Sequence, residues 1–222
     1  MGLNHSPSIV TNGLTLCLDA ANSKSYSGSG TAWNDISGNG NNGTLVGTPT
    51  YTNANNGSFV LNGTTQSANL GNVLVSTTAF SASAWVYDTD TAGGYRHIIA
   101  KDGQFLFRID NNAEGGNLSA FVFIAGTGPE PRLSTAWTKN VWVNVCFVWN
   151  TNGTFRLFLN GDLKNSSTTR TGISNTNTIF RVGGTTSSYF KGNISNAMFY
   201  NRTLTDEEVK QNFNALRGRY GL

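Results

Sequence analysis

The chain has 222 residues, a formal net charge of +3 and only 12% charged side chains, about half the usual share near 25%. Its 38% hydrophobic and 11% aromatic residues are ample for a packed core, which excludes a disordered chain, and 26 glycines against 4 prolines indicate many turns. Lys and Arg are scattered rather than patched, which excludes the dense basic surface of a nucleic-acid binder, and no apolar run reaches about 18 residues, which excludes a transmembrane helix and a membrane partner.

The opening MGLNHSPSIV has neither a basic n-region nor an apolar h-region, so no secretory signal is expected. Gly2 and Ser6 fit the Met-Gly-x-x-x-Ser acylation pattern, and this is read as a chance match. Residues 1–12 are expected to form an N-terminal arm and 13–222 one domain. LTLCLD (14–19) then alternates Leu14, Leu16 and Leu18, as a half-buried strand does. WNDISGNGNNGTL (33–45) is a long polar turn between Trp33 and Leu45. GSFVLNG (57–63) is a short strand closed by Asn62-Gly63. FSASAWVY (80–87) places Phe80, Ala82, Ala84 and Val86 on one face, with Trp85 and Tyr87 on the other.

Two strands joined at Asp102-Gly103 follow in 96–110, and LSAFVFIAG (118–126) and WVNVCFVWN (142–150) come next. Asn152-Gly153 and Asn160-Gly161 bracket a further strand in TFRLFLNGDLK (154–164), a strong hairpin signal because Gly tolerates positive φ. IFRVGG (179–184) and GNISNAMFYN (192–201) complete about ten strands. TDEEVKQNFNALR (205–217) is the one helix: Thr205 and Glu208 form a capping box, Val209, Phe213 and Leu216 share a face, and Gly218 is placed to end it. Strands in series with one terminal helix predict an all-β, antiparallel β-sandwich. Cys17 and Cys146 both lie in apolar strand runs and read as buried thiols, with a bridge between neighbouring strands left open.

In order, GLTLCLDAANSKSY (13–26), WNDISGNGNNGTL, SFVLNGTTQSANLG (58–71), FSASAWVY, VWVNVCFVWN, FRLFLNGDL (155–163) and KGNISNAMFYNRTLTDEEVKQNF (191–213) resemble the concanavalin A-like, laminin-G-type jelly-roll superfamily. The closing NFNALRGRYGL is similar to short laminin-G-like proteins of tailed bacteriophages, notably those of cyanobacteria. That resemblance implies a virion protein that decorates the capsid or belongs to the tail, contacts other virion proteins, and has room for homo-oligomerisation. The fold alone does not assign a function, because lectins, glucanases and adhesion modules share it.

Glycan hydrolysis needs two carboxylates about 5–9.5 Å apart. The nearest pair, Asp88 and Asp90, enters a Gly-rich turn where Asp is ordinary turn chemistry, and Glu114 and Glu130 lie in loops without a nearby acidic partner. No catalytic residue is assigned and no cofactor is required. The resemblance implies Ca²⁺ at a loop rim, for which Asp35, Asn39 and Asn41, with Asp19, would supply oxygens. Relatives often carry Ile-Asp-Glu where this chain has Ile194, Ser195 and Asn196, so one acid is missing, and the competing reading is a turn whose Asn side chains bond its own backbone. Glycan binding needs exposed aromatic faces beside polar groups. Of Tyr26, Trp33, Tyr51, Tyr95, Trp137 and Tyr189, all near turns, Tyr95 with Arg96 and Tyr189 are the exposed candidates, while Trp33 and Trp137 read as loop anchors. The expectation is a non-enzymatic virion module that contacts structural proteins and host glycans. A secreted or surface lectin is the alternative, and a glycosidase is the third reading.

Overall fold

The computed structural model describes residues 7–222 except 74, 77, 125–127, 130, 131 and 171; the acylation motif and Glu130 lie outside the described residues. Two antiparallel sheets face each other. The first, eight-stranded among the described residues, runs β15 (Asp162–Arg170), β14 (Gly153–Leu159), β13 (Trp142–Asn150), β7 (Ala79–Asp88), β17 (Lys191–Tyr200), β5 (Ser58–Asn62) and β4 (Thr50–Thr52), numbered in chain order. β1 (Leu14–Asp19) also lies beside β17. The second, nine-stranded, runs β11 (Gly128–Pro129), β10 (Leu118–Ile124), β9 (Phe105–Ile109), β8 (Arg96–Lys101), β16 (Phe180–Val182), β6 (Ser67–Asn69), β3 (Gly43–Val46) and β2 (Ala32–Trp33), with β12 (Leu133–Thr135) also on β10.

The alternation in β7 does what the sequence predicts. Phe80, Ala82, Ala84 and Val86 enter the inter-sheet core, where Phe80, Phe105, Phe147, Phe180 and Phe199 pack ring against ring. Each fully buried side chain of this kind contributes about 1.5–3 kcal/mol. Trp85 points the other way into a second apolar layer under α1 (Asp206–Leu216) and stacks on Tyr220 with ring centroids 4.0 Å apart. The capping box of Thr205 and Glu208 is present. Gly218 does not end the helix as expected. The chain continues as a 3₁₀ turn through Tyr220, which carries that ring to Trp85, and Gly221 at φ 73° closes it.

Asn160 and Gly161, at φ 52° and 75°, make the tight turn from β14 to β15, since both central residues of such a turn need positive φ. β17 is shared along its length: Lys191–Ile194 pair with β5 and Asn196–Tyr200 with β1, and a bulge at Ser195 marks the change of neighbour. Cys17 and Cys146 are free and buried. The register Cys17–Met198–Ser83–Cys146 runs across four strands, about 14 Å, too far for a disulfide. Of the expected arm, residues 8–12 are laid down on the body: the Val10 N–H donates to Asn212 Oδ1 at 2.8 Å, and the Ser8 and Asn12 carbonyls accept from Gln211 and Arg202.

β7 also sets the long axis. Its ten residues span about 30 Å from Ala79 to Asp88. Register places Trp142 and Gly192 at the Asp88 end, and Asn150, Tyr200 and the start of β1 at the Ala79 end.

Candidate functional site

Tyr95 and Arg96 do not form a joint site: Tyr95 precedes β8, Arg96 opens it, and their side chains meet different partners. Arg96 is only 2% exposed, a correction to its expected place at the surface. Its Nε lies 3.4 Å from Asp88 Oδ2 and its Nη1 3.1 Å from Asp90 Oδ2, and Nη1 also donates to the Gly94 carbonyl at 2.6 Å. A buried guanidinium needs such partners. Tyr95 is half-buried, and its ring centroid lies 4.0 Å from the Arg108 guanidinium carbon, with that of Phe121 at 4.5 Å. The Tyr95 hydroxyl donates to Glu114. That bond holds the Glu114 carboxyl below its ordinary range and lifts the phenol above its own. Arg108 also bonds Asp110 at 2.9 Å and Glu114 at 3.2 Å, so this cluster is internally satisfied. Tyr189 sits elsewhere, on the β16–β17 connection, with its ring against Gly184. On the same sheet, His97 is 4% exposed beside its register partner Arg108; burial first, then Arg108, lowers its pKa to about 4. Among the remaining turn aromatics, Tyr26 and Trp33 are core residues, and Tyr51 packs against that core.

The carboxylates of Asp88 and Asp90 are 0% and 6% exposed by residue and fully committed. Asp88 Oδ1 accepts the Asp90 N–H, and Asp90 accepts the N–H groups of Ala92 and Gly93. The loop of residues 34–42 links β2 to β3, with Trp33 opposite Gly43. Asp35 is its hub. Its two oxygens accept from the backbone N–H groups of Cys17, Ser37 and Asn41 and from Ser37 Oγ, at 2.8–3.0 Å. Asp19 is held by Arg219 at 2.8 Å and accepts the Ala21 N–H. Ser195 and Asn196 are buried and bonded internally. These residues do not fit a Ca²⁺ site: the Asp35 oxygens are met by donors, Asp19 has a cation already, and no cluster of three His, Cys, Asp or Glu occurs among the described residues.

A groove of about 350 Å³ opens at the Asp88 end. One wall is the β12–β13 connection with Trp137, Val141 and the start of β13 at Trp142; the other is the Asn160-Gly161 turn with Asp162 and Lys164. Both indoles are fixed. Trp137 Nε1 donates to Asp88 Oδ2 at 2.9 Å, and Trp142 Nε1 donates to Asn55 Oδ1 at 3.0 Å. Trp142 also lies against Tyr220 and Tyr87 with centroids 4.8 and 5.7 Å away, and a second depression of about 290 Å³ meets it beside Asn55 and Asn193. Asp162 is engaged by Lys210 at 2.7 Å, and Lys164 reaches it only at 3.9 Å. Rigid aromatic rings beside a carboxylate, an ammonium and the Thr138 hydroxyl can take the C–H faces and hydroxyls of a sugar. Sequence reasoning read Trp137 as an anchor and passed over Trp142. The run VWVNVCFVW carries no sign of this, because the 43% exposure of Val141 beside Trp142 arises only in the fold.

The profile of the concanavalin A-like lectin/glucanases superfamily matches residues 62–210. No curated protein sequence matches the chain. Among solved structures, the chain is similar to domain 4 of AbnA, a GH43 extracellular arabinanase from Geobacillus stearothermophilus, in complex with arabinotriose. The TM-score is 0.68 at 22% identity, over 93% of this chain and 98% of that one. It is also similar to the receptor binding domain of botulinum neurotoxin C/D mosaic serotype, with TM-score 0.70 and 18% identity over 92% of this chain and 51% of that one. The binding domain of botulinum neurotoxin DC in complex with SialylT gives 0.70 and 16%, over 93% and 52%. The chain spans about half the length of these toxin domains. At such identities the likeness is one of fold.

Proposed function

This chain belongs to the concanavalin A-like lectin/glucanases superfamily, and from that premise we propose that it is a non-enzymatic carbohydrate-binding module of a bacteriophage virion. The observation that carries the binding role is the groove at the Asp88 end, where Trp137 and Trp142 hold fixed faces beside Asp162 and Lys164. The non-catalytic reading is supported by the state of Asp88 and Asp90, which are buried and ion-paired to Arg96 rather than open to a substrate. Carbohydrate complexes of similar folds, with arabinotriose and with SialylT, are consistent with this class of ligand. The virion setting is supported by the similarity of the closing NFNALRGRYGL to short phage proteins, and it makes capsid or tail proteins the structural partners.

A glycan array followed by calorimetry tests the binding role. Saturable binding is expected, weakened roughly 30-fold or more by Trp142→Ala, and unaltered affinity in that variant would remove the groove from the reading. Stoichiometric recovery of the chain in purified particles is expected for the virion setting. Glycan binding by a protein absent from particles would leave the secreted lectin in its place.

A further inference from the structure

The Ala79 end carries a third and larger depression, of about 680 Å³, within the roughly 300–1,000 Å³ range of small-molecule sites. Five asparagines line it: Asn39, Asn41, Asn72, Asn175 and Asn201. Val73 and Val75 add apolar surface, and no ionisable side chain is among its described lining residues. The Lys101 ammonium is 0% exposed behind that lining, with its Nζ donating to Asn72 Oδ1 at 2.9 Å and the Val73 carbonyl at 2.8 Å.

The amides are oriented rather than loose. Asn39 Nδ2 donates to the Leu14 carbonyl at 3.1 Å and to Ser37 Oγ at 2.9 Å, and Asn41 Nδ2 donates to the Thr15 carbonyl at 2.7 Å. The Asn39 nitrogen thus gives both N–H groups to the fold and the Asn41 nitrogen gives one of its two, and each side-chain carbonyl oxygen is left as an acceptor without a donor among the described residues. The side chains of Asn175 and Asn201 form no hydrogen bond to any described residue, so their amides are free both to donate and to accept. A sugar hydroxyl is also donor and acceptor at once, and vicinal hydroxyls need such a mixed set. A carboxylate or phosphate would meet the Asn39 and Asn41 oxygens unfavourably and find no cation among the described lining residues to offset them. A divalent cation would find neutral oxygens only, which gives weak affinity.

We propose that this asparagine-lined cleft is a second carbohydrate site, selective for an uncharged oligosaccharide, at the opposite pole from the tryptophan groove. The β7 strand separates the two poles by about 30 Å. The cleft shares with the groove only its class of ligand, and its lining residues are distinct.

The test follows the side-chain amide resonances of ¹⁵N-labelled protein titrated with neutral trisaccharides (maltotriose, cellotriose, mannotriose and arabinotriose), with trigalacturonate as the charged control. Saturable shifts of the Asn175 and Asn201 amides are expected with a neutral trisaccharide and not with trigalacturonate, in the wild type and in Trp142→Ala alike. The double variant Asn175→Ala, Asn201→Ala removes groups that hold nothing in the fold. It should melt as the wild type does and weaken the binding seen at Asn39 and Asn41 roughly tenfold. The proposal is overturned by silence with every neutral trisaccharide, by equal response to trigalacturonate, or by shifts that vanish in Trp142→Ala. Loss of groove binding with the cleft response intact would count against the groove alone.

Discussion

At the Asp88 end of the sandwich, loops are fastened by charge: Arg96 lies between Asp88 and Asp90, and Asp88 also takes the Trp137 indole. At the Ala79 end the described lining of the cleft is neutral, with amides bonded to strand carbonyls and others bonded to nothing in the fold. Both ends must complete the hydrogen bonding of chain that leaves a sheet. The charged solution fixes an aromatic platform rigidly, and each member depends on the others. The amide solution leaves individual residues nearly independent, so that side chains there can be given over to a ligand.

The largest effect should come from breaking the charged end. Asp88→Ala leaves a buried guanidinium short of one carboxylate and should cost about 3–5 kcal/mol in urea denaturation; a loss below about 1 kcal/mol would mean that charge does not hold this pole. Next comes acid, which acts between the poles at His97. Its pKa is lowered from 6.5 to about 4 in the fold. The contribution is therefore intact above the unfolded value. It is lost as pH falls through the window between the two, because there the unfolded chain binds the extra proton. Stability should drop by about 3 kcal/mol from this group between pH 7 and pH 4, and His97→Gln should flatten the profile; parallel profiles would place the acid sensitivity elsewhere.

Asp35→Ala should cost about 2 kcal/mol, because its carboxylate serves three backbone donors and one hydroxyl. The cost should be the same with and without millimolar Ca²⁺, and a Ca²⁺-dependent melting temperature in the wild type would restore a metal to the loop. The smallest effect belongs to the neutral end: Asn201→Ala should stay within about 0.5 kcal/mol of wild type. A larger change would show that this amide has a structural task and would erase the contrast.

Much of the scaffold was legible because its signals are local. The alternation of FSASAWVY (80–87) within β7 sorts Phe80 from Trp85, and the Thr205–Glu208 capping box marks the helix start. Strands of two to four residues, such as β2 and β3, are too short to show a period, so the turn between Trp33 and Leu45 was visible while the strand pair that frames it was not. Arg96 was misplaced because a carboxylate cage brought together by folding has no one-dimensional signature. Trp142 was hidden in an apolar run, VWVNVCFVW, where its neighbours made it look like core. Asn39 and Asn41 were singled out for their oxygens, but the direction of each amide is set by partners in β1 that precede these asparagines by 25 and 26 residues.

The ten-residue length of β7 has a consequence for avidity. Two weak sites reinforce each other by roughly 10²–10⁴ only when geometry lets both engage at once. A groove and a cleft at opposite ends of one strand lie about 30 Å apart, so a single short glycan can fill one and not both. Two occupied poles would instead clasp separate chains about 30 Å apart, and the sandwich would act as a spacer between layers rather than as a foot with two toes.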